Sequence, residues 1–240
     1  MHLIKDILRK IYYLYANGRV TTMIGTHAAN GKKWIIDGEY GRAYFRGYYE
    51  PSLSRFINDN LKEDSVFVDA GSHAGYFSLI AASKIADGHV FSFEPDKRNF
   101  NYIEGIRNLN NLSNWTVENK GLGEREATLK FQSGKSSSTG KIGEEGDIEI
   151  PVLSLDKYFE DRFLQSFDLI KIDVEGHGGE VIKGAIQSIL KYKPIILLEN
   201  HRGSNEFAMA WDLLKLHYSF YDFENFKPFD PAANYGSLEQ

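Results

Sequence analysis

Cysteine is absent from the 240-residue sequence. Its absence excludes disulfides, thiolate metal sites and cysteine nucleophiles, and it favours a cytoplasmic location. The chain also lacks any run of about 18 apolar residues, so we predict no membrane-spanning helix. Positive charge is not in excess, because 28 basic residues face 33 acidic ones. That balance argues against a nucleic-acid partner.

The first patterned stretch, residues 1–15, is basic and amphipathic. Lys5, Arg9 and Lys10 interrupt its apolar positions, and no small-residue cleavage site follows. We therefore interpret it as a docking helix rather than a signal peptide. Such a helix could bind a membrane surface or mediate a homodimer, and the sequence leaves both alternatives open.

Glycine and aromatic side chains are concentrated in residues 18–48. Residues 34–38 and 43–45 are predicted as short strands around turns. We therefore divide the chain into an N-terminal helix and β-rich cap over residues 1–48 and one larger domain over residues 49–240. A single α/β domain can reach the size of the second part.

A strand, a glycine-containing turn and a helix follow one another at the start of the larger domain. Residues 66–68 form a short apolar, β-branched run, which predicts a buried strand. Asp69 comes next, Gly71 and Gly75 follow, and an apolar helix begins at Tyr76. This order is typical of the first unit of a nucleotide-binding fold, in which glycine lets the backbone turn sharply beside a ligand.

The turn does not match the best-known phosphate-binding motifs. Ser72 and His73 stand in its middle, no third glycine follows at the dinucleotide spacing, and no Gly-Lys-Ser/Thr sequence is present. An ordinary tight turn between strand and helix is the alternative interpretation.

Glu94 lies at the end of the next predicted strand, residues 89–93, and 19 residues beyond Gly75. An acidic residue about 20 residues after the glycine turn is where a ribose diol is bound in such folds. A carboxylate can accept hydrogen bonds from both hydroxyls. The alternative is that Glu94 only caps the helix that Pro95 could begin.

Several further elements can be predicted from local patterns. Ser52 is a candidate N-cap for a helix after Pro51, and one helix is predicted over residues 180–190. Residues 115–119 form a third strand. Residues 148–152 are predicted as an edge strand, because they include a proline that cannot donate to a central ladder.

Two more apolar strands end in polar residues. Asp173, Glu175 and His177 follow the first of them, and Glu199, Asn200 and His201 follow the second. The chain alternates strand and helix about five times, which predicts a mostly parallel sheet whose ligands bind at the carboxyl ends of the strands. Seven polar residues fall at those ends: Asp69, Glu94, Asn119, Asp173, Glu175, Glu199 and Asn200.

Three ordered motifs, at residues 68–78, 91–95 and 172–177, resemble the FkbM family of S-adenosylmethionine-dependent methyltransferases, as does the Tyr49-Glu50-Pro51 sequence upstream. The resemblance implies a Rossmann-like class I methyltransferase fold. That fold is a three-layer α/β sandwich with a mostly parallel seven-stranded sheet whose last strand is antiparallel. It also implies methyl transfer to a hydroxyl oxygen of a small molecule, sugar or glycan.

The resemblance also implies a cofactor site for S-adenosylmethionine. Many relatives carry Ala-Asn where this chain has Ser72-His73, so this part of the site departs from the family pattern. The implied cofactor-binding residues are Glu50, Asp69, Gly71, Ser72, His73, Gly75, Glu94, Asn119 and Asp173.

A hydroxyl acceptor needs a base or a metal ion when its proton leaves. The candidate catalytic residues are Asp173, Glu175 and His177, with His201 as a further candidate. His177 has the most suitable unperturbed pKa, although it could instead cap the following helix.

Asp173, Glu199 and Asn200 resemble the Mg²⁺ ligands of catechol O-methyltransferases, with Glu199 in place of an aspartate. Three oxygen ligands suit Mg²⁺. The same residues could instead bind substrate hydroxyls directly.

Two other function classes stay open from the sequence. A nicotinamide-dependent oxidoreductase is disfavoured by the missing third glycine. A non-catalytic nucleotide-binding module on the same fold is disfavoured by the set of acidic residues at the strand ends.

Overall fold

The structure is a computed structural model, and it describes residues 18–25, 27–38, 40, 42–132, 140–142, 146, 148–201 and 204–229. The predicted N-terminal docking helix lies outside these residues. None of the helices in the described ranges is long and apolar enough to cross a membrane.

A five-stranded parallel sheet forms the centre of the described part of the chain. Its strands lie in the order β11 (Ile195–Leu198), β10 (Leu169–Ile172), β3 (Val66–Ala70), β4 (His89–Phe93) and β5 (Trp115–Glu118). The described residues therefore contain five of the seven predicted strands. Nearer the C-terminus they contain one isolated antiparallel bridge, between Tyr221 and Pro228.

Helices cover both faces of this sheet, which gives the predicted three layers. One layer contains α2 (Pro51–Asn60), α3 (Tyr76–Lys84) and α4 (Lys97–Leu109), and the other contains α5 (Leu155–Asp161), α6 (Gly178–Gly184), α7 (Ile186–Tyr192) and α8 (Glu206–Leu214). Phe67 of β3 packs into the first layer, whereas its neighbours Val66 and Val68 pack into the second. Alternation of this kind is what a strand buried on both faces produces.

A second, four-stranded sheet extends from the end of β5. Its order is β6 (Gly121–Leu122), β9 (Ile148–Leu153), β7 (Ala127–Gln132) and β8 (Lys141–Ile142). The prediction that residues 148–152 form an edge strand is wrong, because β9 pairs with both β6 and β7. Pro151 is tolerated since pairing with β6 begins only at Val152, one residue later.

The region before α2 contains a hairpin of β1 (Val20–Thr22) and β2 (Lys33–Ile35), followed by the short helix α1 (Arg42–Phe45). The strand predicted at residues 43–45 is wrong. Tyr44 is buried there and stacks on Trp34, with 5.8 Å between ring centroids, so tertiary packing overrides the local pattern. The buried residues of this region share one apolar cluster with α2 and α3.

Two helix boundaries also differ from the prediction. Glu50, with a left-handed backbone (φ 38°), precedes α2, and Pro51 is its first residue, so Ser52 is not the N-cap. Proline suits the first helical position, where no amide donor is needed. The single helix predicted over residues 180–190 is interrupted at Ala185, which separates α6 from α7.

Candidate active site

A cavity of about 300 Å³ opens at the carboxyl ends of the parallel strands. Ligand pockets of known proteins begin at about this volume. Loops after β3, β4, β10 and β11 all contribute, together with Tyr44, Tyr49 and Glu50 from the N-terminal side. Of the seven polar residues predicted at the strand ends, four line this cavity: Glu94, Asp173, Glu175 and Glu199.

Glycine is required at the first position of the loop after β3. Gly71 has a φ of +77°, and a Cβ atom there would lie 1.8 Å from the carbonyl oxygen of Asp173. The loops after β3 and β10 can therefore touch only if this residue has no side chain. Gly71, Ser72 and His73 line the cavity, whereas Asp69 and Gly75 are not among its lining residues.

His73 lies between the glycine loop and the tyrosines of the N-terminal region. Its backbone is left-handed (φ 49°), and its ring centroid is 5.2 Å from that of Tyr40. Burial, with a smaller contribution from the Lys171 charge, lowers the pKa of His73 to about 4. The ring is therefore neutral at physiological pH.

Glu94 is buried at the cavity wall. Its carboxylate accepts hydrogen bonds from the backbone amides of His73 (2.8 Å) and Asp96 (2.9 Å). Burial raises the pKa of Glu94 to about 8 in spite of these bonds. The side-chain amide of Asn99 also donates to Oε1 at 3.4 Å. A carboxylate has about four acceptor sites, so Glu94 retains one of them for a ligand. Asp96, not Glu94, caps α4.

Asn119 supports the loop after β4. Its amide group donates to the carbonyl oxygens of Glu94 and Pro95, at 2.9 Å each. Asn119 is not among the residues that line the cavity. Its observed role is to hold the chain on either side of Glu94.

Lys171 is a residue of the site that the sequence analysis missed. It is buried in β10, and its Nζ lies 3.1 Å from Oδ2 of Asp173 and 3.7 Å from Oδ1 of Asp69. Burial alone would raise the pKa of Asp173, but Lys171 and His201 lower it below its usual range. The signal that could have revealed Lys171 is a single charge inside an apolar strand, where an ammonium group needs a partner.

His201 forms the centre of an acidic cluster. Its Nε2 lies 3.4 Å from Oδ1 of Asp173, 3.6 Å from Oε2 of Glu175 and 4.0 Å from Oε1 of Glu199. Its Nδ1 lies 3.1 Å from Oε2 of Glu206. The hydrogen bond to Asp173 makes the largest contribution to a pKa of about 9 for His201. The imidazole is therefore cationic at neutral pH.

His177 occupies a different place from the one expected of a base. It precedes α6, and its ring lies beside Gly123 rather than among the residues that line the cavity. Burial lowers its pKa. Asp173, Glu175 and Glu199 do line the cavity, so three of the predicted acidic residues are brought together and His177 is not.

Asp173, Glu199 and His201 each offer one ligand atom, and these atoms lie within 4.8 Å of one another. Asn200 is exposed and does not line the cavity. Mg²⁺ prefers oxygen ligands and retains several waters. The ammonium group of Lys171 already pairs with Asp173 at 3.1 Å, and one of the three ligand atoms is an imidazole nitrogen, so this donor set suits Mg²⁺ poorly.

Comparison with known proteins shows which family this chain resembles. The family model described as "Methyltransferase FkbM domain" matches residues 69–224. A hexuronic acid methyltransferase, AglP, of Haloferax volcanii is 28% identical over 160 residues, which cover 64% of this chain and 63% of that protein. Methyltransferase 1 of Beauveria bassiana is 24% identical over 177 residues, which cover 64% of this chain and 71% of that protein.

Solved structures include more distant matches. The precorrin-6y C5,15-methyltransferase of Geobacter metallireducens is 16% identical and aligns with a TM-score of 0.46, covering 71% of this chain and 72% of that one. A putative O-methyltransferase from Klebsiella pneumoniae is 11% identical with a TM-score of 0.43, covering 75% of this chain and 78% of that one.

Proposed function

Because this chain belongs to the FkbM methyltransferase family, we propose that it transfers a methyl group from S-adenosylmethionine to a hydroxyl oxygen of a sugar or another small hydroxylated acceptor. The observation that carries the proposal is one cavity with a glycine loop and Glu94 at one end and a cluster of carboxylates at the other. The first end suits a nucleoside, and the second suits a hydroxyl that must lose a proton.

The charge of the cavity fits the proposed cofactor. The sulfonium and amino groups of S-adenosylmethionine are cationic, and carboxylates attract cations most strongly where water is excluded. Besides Glu94, which is protonated below about pH 8 in the free protein, the acidic residues that line the cavity are Glu50, Asp96, Asp173, Glu175 and Glu199.

We assign the ribose hydroxyls to Glu94 and the methionine part to residues 71–73, with Glu50 closing the cavity from the N-terminal side. Asp69 does not line the cavity and would support the glycine loop from within the core. It is fully buried and accepts a hydrogen bond from Ser78 at 2.6 Å. Gly75, with a φ of +71°, and Asn119 would shape the two loops.

When bound, S-adenosylmethionine supplies a methyl group that its sulfonium sulfur already activates, so the protein mainly positions the acceptor. Asp173 is held as an anion and accepts a hydrogen bond from a second hydroxyl of the acceptor, next to the one that is methylated. Burial and the charge of Asp173 raise the pKa of Glu199, which makes Glu199 the stronger base of the two. Glu199 takes the hydroxyl proton, and Glu175 helps to hold His201.

A relative and two residues that line the cavity both support a sugar as the methyl acceptor. The relative in Haloferax volcanii is named for a hexuronic acid, which is a sugar. Tyr44 and Tyr49 line the cavity with their rings stacked 4.3 Å apart, and aromatic faces and carboxylates are suited to sugar rings and hydroxyls. The cytoplasmic location, the lack of a nucleic-acid partner and the homodimer remain predictions from the sequence.

Calorimetric binding of S-adenosylhomocysteine tests the proposal, with wild type beside Glu94→Ala. We expect micromolar binding in the wild type and a loss of about 30-fold in the variant, which is about 2 kcal/mol. Glu160→Ala, which changes an exposed carboxylate on α5, is the matched control and should bind as the wild type does.

Three results would contradict the proposal. The first is no binding of S-adenosylhomocysteine to the wild type. The second is preferential binding of NAD, which would revive the oxidoreductase alternative. The third is binding without methyl transfer to any hydroxylated acceptor, which would favour a non-catalytic module.

A further inference from the structure

Glu206, the first residue of α8, is a completely buried carboxylate with an unusual number of donors. Oε1 accepts from the backbone amides of Gly176 (3.0 Å) and Gly178 (2.9 Å). Oε2 accepts from the backbone amide and Nδ1 of His201 (3.0 and 3.1 Å) and from the hydroxyl of Ser204 (2.8 Å). A buried charge is stable only with such compensation.

The two oxygens of Glu206 serve two different loops. Oε1 holds the loop after β10, which carries Asp173 and Glu175, and Oε2 holds the loop after β11, which carries Glu199. One side chain therefore ties together the two loops that carry the proposed hydroxyl-binding and proton-accepting carboxylates.

Glu206 also fixes the orientation of the His201 ring. Because Nδ1 points at Glu206, Nε2 must face the cavity carboxylates, 3.4 Å from Asp173 and 3.6 Å from Glu175. His201 is not among the residues that line the cavity. It therefore acts on the cavity through these carboxylates.

We propose that Glu206 is a positioning residue for methyl transfer. Through His201 and the two loops, it holds the side chains of Asp173 and Glu199 in the positions that the reaction needs. The inference rests on the proposed function, since it assigns the support of that same site. It predicts that Glu206 affects the rate of transfer more than the binding of the cofactor.

A purely structural role would look different, and the chain offers an example of one. Asp156 accepts hydrogen bonds from the backbone amides of Gln187 (3.0 Å) and Ser188 (2.8 Å), in the first turn of α7 and away from the cavity. Glu206 also binds one amide of a first helical turn, that of Gly178, but its other four hydrogen bonds come from the loops before α6 and α8, which lead from the cavity carboxylates.

Steady-state kinetics of Glu206→Gln beside Asp156→Asn test the proposal. The glutamine amide would face five donors, so we expect kcat to fall by about 100-fold, the cost of a misplacement near 1 Å. KM for S-adenosylmethionine should stay within about 3-fold. Glu206→Asp should recover part of the rate, and Asp156→Asn should keep the wild-type kcat. Equal losses of kcat in Glu206→Gln and Asp156→Asn would overturn the proposal.

Two further measurements keep the test decisive. If Glu206→Gln does not fold, Ser204→Ala removes one of the five hydrogen bonds and should lower kcat by about 5-fold; an unchanged kcat would overturn the proposal. The Nδ1 proton resonance of His201 needs no turnover. It should shift in Glu206→Gln but not in Asp156→Asn, and its failure to shift would refute the positioning of His201 even if the methyltransferase activity were never found.

Discussion

The loops after β3 and β4 hold one end of the cavity mainly with backbone hydrogen bonds, whereas the loops after β10 and β11 hold the other with charged side chains. At the first end, the amides of Gly71 and Ser72 donate to the carbonyl oxygen of Phe93 at 3.0 and 3.1 Å. At the second end, Lys171 and His201 neutralise Asp173. Added side-chain volume should therefore destabilise the first end, and removal of a charged side chain should destabilise the second.

The largest expected effect comes from removing the buried cation of the charged end. Lys171→Met leaves Asp69 and Asp173 without their ammonium partner, and we expect a loss of about 3–5 kcal/mol in the free energy of unfolding at neutral pH. The loss should shrink as the pH falls, because protonation of the two carboxylates removes the unpaired charge.

Chemical denaturation across pH measures this effect. Lys157→Met breaks an exposed ion pair with Asp161 and is the control, with a much smaller expected change. A Lys171→Met protein as stable as the control variant would show that charge pairing does not hold this end together.

The next effect comes from adding one methyl group to the backbone-held end. Gly71→Ala combines a φ of +77° with a Cβ atom 1.8 Å from the Asp173 carbonyl oxygen. We expect a loss of about 3 kcal/mol or more in the free energy of unfolding. Gly31→Ala has a φ of +84° but open space around its Cβ, so it should cost only about 1 kcal/mol. Thermal unfolding of both variants compares them, and equal losses would mean that the contact between the loops after β3 and β10 is loose.

A smaller effect concerns the pH dependence of cofactor binding. Since the pKa of Glu94 is about 8, the free protein holds this carboxyl protonated below that pH. Ribose hydroxyls that donate to Glu94 favour its ionised form, so binding releases a proton. The affinity for S-adenosylhomocysteine should therefore rise by up to about tenfold per pH unit up to pH 8 and then level off.

Glu94→Gln cannot ionise and should bind with little change over the same pH range. Calorimetry in buffers of different ionisation enthalpy would also count the released proton. A wild-type affinity that does not change between about pH 6 and 8 would contradict the assignment of the ribose to an ionised Glu94.

The backbone-held end was the easier of the two to predict from sequence. A buried strand, two glycines and an acid about 20 residues later are local patterns, and the structure contains each of them at the predicted positions. The parallel sheet follows from alternating strands and helices in the same way. The edge-strand prediction for residues 148–152 failed because it considered Pro151 alone and not which part of β9 is paired on both sides.

The charged end depends on contacts between residues distant in sequence. The sequence places His177 and His201 at similar positions after strands, and only the fold shows that His201 meets Asp173 whereas His177 lies beside Gly123. The link between Glu206 and Gly176 spans 30 residues and has no local signature. Contacts of this kind, between residues far apart in the sequence, therefore cannot be predicted from local patterns.

The most direct test of the division into two ends is to measure cofactor affinity and single-turnover rate together in Glu94→Ala and Asp173→Asn. We predict that Glu94→Ala weakens S-adenosylhomocysteine binding while the saturated rate stays within about 3-fold of wild type. Asp173→Asn should keep the affinity within about 3-fold and lose about 100-fold in rate, as expected for a group that positions the acceptor beside its base. A loss of cofactor affinity in Asp173→Asn equal to that in Glu94→Ala would show that the two ends do not have separate roles.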